Sequence, residues 1–165
     1  MLTPILRTLI TRELRAVKRE LEAYPDDASV WREIPGLPNT GGTLALHMAG
    51  NLQHFFGAIL ARDGYKRDRD AEFARRNVPR QEMYAEIDRA IAAVERALDG
   101  VRDDTFGTAY PEPIANRRVV TGPFVAHLAS HLAYHLGQLD YHRRAVTGDR
   151  RGIEALSVRE LPEVS

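Results

Sequence analysis

Apolar residues recur at steps of three and four in four stretches of the chain, which is the period of an amphipathic α-helix. In residues 3–24 the charged side chains occupy the face opposite the apolar one. The apolar positions of this first stretch are Leu6, Ile10, Leu14, Val17 and Leu21. Residues 40–62 are apolar around most of the helix circumference, so we expect a central helix whose N-cap is Thr40 or Thr43.

The third and fourth stretches predict two further helices, at residues 81–101 and 121–147. The apolar face of the third helix consists of Met83, Ile87, Ile91, Val94 and Leu98. In the fourth, Pro123 lies in the first turn and Gly148 follows the last turn, which are the positions that these residue types favour at helix ends.

The segments between these helices contain prolines, glycines and charges and show no convincing strand alternation. We expect Trp31 to plug one end of the core, and residues 63–80 to form a solvated connection with a short helical turn at 71–76. The pattern predicts an all-α fold, a four-helix bundle with long middle connections. Residues 1–148 form the expected bundle domain, and residues 149–165 a weakly structured tail that packs on a partner.

The composition narrows the classes of function. The 23 basic and 23 acidic side chains cancel, so we expect neither a nucleic acid nor a membrane as partner. Neither a signal peptide nor an apolar run of membrane-spanning length is visible, which predicts a cytoplasmic protein. The absence of cysteine excludes disulfides and thiolate metal sites. Glu-x-x-His, His-Glu-x-x-His, Gly-x-Ser-x-Gly and Walker patterns are also absent.

All six histidines fall on the second and fourth predicted helices: His47, His54, His127, His131, His135 and His142. His131 and His135 are four residues apart, so one helix face aims both imidazoles at one point. A single histidine on an apolar face is usually a core or rim residue. The clustering favours a shared divalent metal, because uncompensated polar groups inside a bundle are costly. The alternative is a metal-free bundle in which the histidines hydrogen-bond to one another and to water.

Two segments, LALHMAGNL in the second helix and LASHLAYHLGQLDYHRR in the fourth, resemble the DinB-like (DinB/YfiT) superfamily. Its members are four-helix bundles, often dimers, with a metal held by one histidine from the second helix and two from the last, so the resemblance also implies a homodimer. The resemblance implies the metal ligands His47, His131 and His135, the last leading into Gly137-Gln138. The other histidines are additional to the three ligands of this pattern. We expect His142, which lies near the end of the helix, to face solvent.

The resemblance implies a metal-dependent enzyme that acts on a small molecule, as a thiol S-transferase or a thiol-dependent hydrolase or isomerase. Zinc or nickel would be the metal, with iron or manganese as alternatives, and a low-molecular-weight thiol a possible second cofactor. His54 and His127 are candidates for a second-shell, proton-transfer or fourth-ligand role, and Asn51 and Gln138 for cofactor contacts. Tyr134, between two ligands, should point away from them. A different reading is a non-catalytic, metal-binding, homodimeric stress-related protein.

Overall fold

The computed structural model describes residues 2–163, which form six α-helices in that part of the chain. The helices are α1 (Leu2–Glu22), α2 (Asp27–Val30), α3 (Gly41–Leu52), α4 (Arg69–Ala74), α5 (Arg80–Gly100) and α6 (Thr121–Thr147). Two short 3₁₀-helices span Asp103–Gly107 and Val158–Glu160. Residues 2–163 contain isolated β-bridges but no strand, so the predicted all-helical class is confirmed.

The ends of the long helices follow the predicted signals. Thr40 is the N-cap of α3, and its hydroxyl oxygen accepts a hydrogen bond from the backbone N–H of Thr43 at 3.2 Å. Gly148 ends α6 with a φ of 72°, a left-handed conformation that costs glycine little. Its N–H donates to the carbonyl of Arg144 at 2.8 Å, which satisfies one of the last free carbonyls of the helix.

One part of the second predicted helix has a different geometry from the one expected. After Leu52 the α-helix continues as a π-helix over Gln53–Ala61 and ends at Arg62, whose φ is 53°. A π-helix has more residues per turn than an α-helix. Residues after Leu52 therefore do not continue the helix face of His47 at intervals of three and four. The sequence does not reveal the change, because this segment is apolar around most of its circumference.

Four long helices surround the core: α1, α3 with its π-helical extension, α5 and α6. Both α1 and α3 pack against α5 and α6. Side chains that are completely or almost completely buried come from all four helices, among them Ile10, Leu14, Met48, Phe56, Met83, Ile87, Leu128 and Leu139. Trp31 is buried with them, as predicted, and its indole N–H donates to the carbonyl of Val78 at 3.1 Å.

The connection between the π-helix and α5 is less solvated than the sequence predicts. It contains α4, whose N-cap Asp68 accepts a hydrogen bond from the N–H of Ala71 at 2.9 Å. Glu72 and Val78 within this connection are both buried. The expectation of an exposed loop is therefore wrong for these residues. A carboxylate is tolerated inside because an arginine and a histidine contact it.

His142 is buried, so the expectation that it faces solvent is wrong. The hydroxyl of Tyr24 on α1 donates to Nδ1 of His142 at 2.7 Å, and Nε2–H of His142 donates to the carbonyl of Arg32 at 2.9 Å. Burial lowers the pKa of His142, which is therefore neutral at pH 7. This histidine joins α1, α6 and the segment after α2.

The described part of the tail, residues 149–163, lies against its own chain. A guanidinium N–H of Arg143 donates to the carbonyl of Arg151 at 3.0 Å, and Arg19 on α1 pairs with Glu160 at 2.8 Å. The boundary after residue 148 and the packing of the tail on a partner stay predictions. None of the described helices is long and apolar enough to span a membrane.

Candidate metal centre

His47 on α3 meets His131 and His135 on α6, and their ligand nitrogens all lie within 4.8 Å of one another. Nε2 of His131 is 3.1 Å from Nε2 of His135. Two imidazoles on a tetrahedral ion, each about 2.0–2.1 Å from it, are separated by about 3.3 Å, so this spacing fits a metal centre. The three histidines can hold a divalent ion. Within residues 2–163, these three histidines are the group of potential ligands whose atoms lie this close together.

The surroundings keep the imidazoles of His131 and His135 in the neutral form that binds metals. Burial, together with the nearby His135 and His47, lowers the pKa of His131 to about 4. Burial also lowers the pKa of His135, although the hydrogen bond to Gln138 acts to raise it. Both rings are therefore neutral at pH 7, so a cation is not repelled by an imidazolium charge there.

Hydrogen bonds on the far side of two rings fix which nitrogen faces the centre. Nδ1–H of His135 donates to Oε1 of Gln138 at 2.7 Å, and Nδ1–H of His47 donates to Oε2 of Glu72 at 3.0 Å. An oxygen acceptor at Nδ1 requires a proton there, so the neutral form of each ring has its lone pair on Nε2. This is the arrangement in which metal-binding histidines are usually held.

Glu72 is a residue of the site that the sequence analysis missed. It is 7% exposed, and Arg67 binds its carboxylate with two N–H groups, at 2.7 and 2.9 Å. Burial alone would raise the pKa of Glu72, but the hydrogen bonds from Arg67 and His47 hold it below its usual value. The carboxylate is therefore ionised and accepts the proton of Nδ1.

One signal in the sequence could have pointed to this carboxylate. Gly50 lies inside α3, where glycine costs helix stability and requires a reason. A Cβ at this position would lie 2.8 Å from Cδ of Glu72 and closer still to Oε1. The glycine thus marks a close approach, although the sequence does not say by which side chain.

The other predicted histidines lie outside the group of three. Nε2–H of His54 donates to the carboxylate of Glu112 at 3.1 Å. His127 is exposed, and its ring lies 6.0 Å from that of His131 and stacks on Phe124. Tyr134 is 65% exposed and points away from the centre, as predicted.

Asn51 lies one turn after His47 on α3 and is 7% exposed. Its Oδ1 is buried and has no hydrogen-bond partner among the described residues. Because His47 packs on His135 and Phe55 packs on Phe124, α3 and α6 run antiparallel. Asn51 is thus placed between the three histidines and the aromatic pair. Its Oδ1 is therefore a buried acceptor near the centre that has no partner in the described part of the chain.

Aromatic side chains cluster one turn after Asn51, around Phe55. Phe55 contacts the rings of Phe124 and Tyr110, at 5.1 and 6.4 Å, and the guanidinium of Arg67 lies over the Phe55 ring at 5.8 Å. Aromatic side chains beside a few polar groups are the residue types that line small-molecule sites, so the residues near the centre are of a kind that can contact an organic ligand.

A family model described as a protein of unknown function, DUF1572, matches residues 5–160. Searches of curated proteins and of solved structures return no match. The family model covers nearly the whole chain, including both helices that carry the three histidines. The chain therefore belongs to the DUF1572 family.

Proposed function

We propose that this protein is a divalent-metal-dependent enzyme that acts on a small molecule and holds its metal with His47, His131 and His135. The observation that carries the proposal is the convergence of three imidazole nitrogens within 4.8 Å. Three neutral nitrogen ligands leave a coordination position open, which is typical of catalytic rather than structural zinc. We also propose that the four long helices form a DinB-like four-helix bundle, because the two histidine segments resemble that superfamily.

A divalent ion at such a site supplies Lewis acidity, which lowers the pKa of a thiol or water or polarises a carbonyl group. The chain contains no cysteine, so a thiol would come from a small molecule. The proposed activity is that of a thiol S-transferase, or of a thiol-dependent hydrolase or isomerase, with zinc or nickel as the metal.

Residues around the centre have separate proposed roles. Glu72 and Gln138 orient two ligands, as their hydrogen bonds to Nδ1 atoms indicate. Oδ1 of Asn51 can accept a hydrogen bond from an N–H or O–H group of the substrate. His127 is exposed and next to His131, so it can exchange protons with solvent. His54 is hydrogen-bonded to Glu112, so we propose that it does not contact the substrate directly.

The alternative is a non-catalytic, homodimeric metal-binding protein with a structural ion. A structural site would be closed by a fourth ligand, for which the sequence suggests His54 or His127. His54 is bonded to Glu112, and His127 is absent from the group whose ligand atoms converge. This favours the enzyme. The homodimer stays a prediction for both alternatives, and light scattering in solution checks it.

Cobalt substitution tests the proposed function. We expect a low-molecular-weight thiol to bind cobalt in the wild-type protein and to add a sulfur-to-cobalt charge-transfer band in the near ultraviolet. Asn51→Ala should still load cobalt, which separates loss of a substrate contact from loss of the metal. An unchanged cobalt spectrum at millimolar thiol would contradict thiol activation.

A further inference from the structure

We propose that Glu72 is a positioning residue for His47, and that this contact couples metal binding to the docking of α4 on α3. The inference rests on the proposed metal site. It adds a carboxylate that touches no metal, and a segment of the chain whose order depends on the metal.

The first support is the closed set of contacts around the carboxylate. Oε2 of Glu72 accepts from Nδ1–H of His47 at 3.0 Å, while Nε and Nη2 of Arg67 donate to its two oxygens at 2.7 and 2.9 Å. The side chains of Glu72 and His47 are 7% and 8% exposed, so water competes little for these bonds. An ionised carboxylate behind an imidazole fixes the ring and raises its basicity as a ligand.

The second support is steric. Glu72 reaches His47 only because position 50 of α3 has no Cβ, since a Cβ there would overlap the carboxylate. By contrast, a Cβ at Gly137 of α6 would meet nothing within 4 Å. One mid-helix glycine is therefore required by the contact between α3 and α4, and the other provides a matched control.

The third support concerns what holds α4 in place. The helix has six residues and packs mainly on α3. Two of its side chains touch the same ring, because Glu72 binds Nδ1 of His47 and the ring of Phe73 lies 4.8 Å from it. Any ligand that fixes His47 therefore stabilises docked α4. By linkage, the factor by which docking tightens metal binding equals the factor by which metal favours docking.

The experiment on the metal-free protein is ¹⁵N NMR of the histidine side chains. We expect His47 of the wild type to carry its proton on Nδ1, and Glu72→Ala to give a mixture of tautomers. Glu72→Gln keeps a carbonyl acceptor and should keep the wild-type tautomer. An unchanged His47 tautomer in Glu72→Ala would overturn the positioning role, whatever the metal does.

The experiment with metal is competition against a chelator, with zinc as the probe. We expect affinity to fall about 100-fold in Glu72→Ala and about 10-fold in Glu72→Gln, the range observed for partners behind metal ligands. The matched control is Glu86→Ala, because Glu86 and Glu72 line one surface groove, whereas Glu86 bonds Gln53 and Arg89 and, within residues 2–163, no histidine. Gly50→Ala should also weaken binding, while Gly137→Ala should not.

Hydrogen exchange measures the coupling to α4. Zinc should slow amide exchange in residues 69–75 of the wild type, and the slowing should disappear in Glu72→Ala and Gly50→Ala. Two results would overturn this inference while leaving the metal site standing. One is a zinc affinity of folded Glu72→Ala equal to that of the wild type. The other is an equal slowing of amide exchange by zinc in Glu72→Ala and in the wild type. A wild-type protein that binds neither zinc nor nickel would overturn the proposed function as well.

Discussion

Nε2 of His131 lies 3.1 Å from Nε2 of His135, one helical turn further along α6. Gln138 holds the proton of His135 on Nδ1, so Nε2 of His135 accepts and Nε2–H of His131 donates. The two rings are therefore held together by a proton when no ion is bound. A divalent ion could take the place of that proton with little movement of either ring once His131 carries its ring proton on Nδ1 instead, which makes the pair a prepared half of a metal site.

We expect His127→Ala and His54→Ala to retain bound metal. His127 is exposed and His54 is bonded to Glu112, so neither supplies a nitrogen to the group of three. Zinc affinity within about threefold of the wild-type value is the expected result of chelator competition for both variants. A 10-fold or larger loss of zinc affinity, as expected when a residue that hydrogen-bonds a metal ligand is removed, would show that the histidine binds the metal or contacts a ligand.

The Tyr24–His142 contact provides a test of the core. Tyr24→Phe removes the hydroxyl that donates to Nδ1 of His142 and leaves a buried acceptor unpaired. We expect the free energy of unfolding to fall by about 1–3 kcal/mol, measured by urea denaturation. The control is Tyr134→Phe, which removes an exposed hydroxyl and should change the free energy by less than about 0.5 kcal/mol. Equal effects would contradict the buried role of His142.

Glu20 should make stability depend on pH. Burial raises the pKa of its carboxyl from 4.5 to about 7, although the hydrogen bond from Arg143 acts to lower it. The folded protein therefore binds more protons than the unfolded chain between these values, and the contribution of Glu20 to stability is complete below pH 4.5 and lost as pH rises through 7. We expect the wild type to lose up to about 3 kcal/mol relative to Glu20→Gln between about pH 5 and pH 8.

Urea denaturation of both proteins over this range is the measurement. Asp140, the other carboxylate near Arg143, has a lowered pKa and titrates below the range, so the comparison isolates Glu20. Parallel pH profiles for wild type and Glu20→Gln would show that Glu20 is ionised throughout.

Arg143→Met should destabilise the protein most at high pH. Arg143 is buried beside Glu20 at 2.5 Å, so its removal leaves an unpaired carboxylate in the core. We expect a loss of about 3–5 kcal/mol near pH 8 and a smaller loss near pH 5, where Glu20 is protonated. The carbonyl of Arg151 also loses a donor, and amide exchange in residues 149–163 should accelerate. A loss independent of pH would contradict the ionised pair at high pH.

The parts of the molecule that the sequence predicts are those set by local spacing. His131 and His135 converge because residues four apart share a helix face, and Thr40 caps α3 because threonine favours that position. His47 could be paired with them through the superfamily resemblance, since no local rule joins residues of different helices.

Contacts between distant segments escaped prediction. Glu72 lies 25 residues from His47 in a charged stretch whose composition is typical of solvent-exposed chain. His142 was expected at the surface because it is near the end of α6, yet Tyr24 lies 118 residues away and pairs with it. In both places a buried polar residue is tolerated because a partner elsewhere in the chain satisfies it. The pattern along the chain does not contain that information.

The most direct measurement is elemental analysis of protein purified without a histidine tag or added metal, beside His131→Ala and His135→Ala. We expect near-stoichiometric divalent metal in the wild type and its loss in both variants, with helical content by circular dichroism largely unchanged. A wild type that holds no metal, even after incubation with zinc and nickel, would contradict a metal centre. Stoichiometric metal in both variants would show that the ion is bound elsewhere.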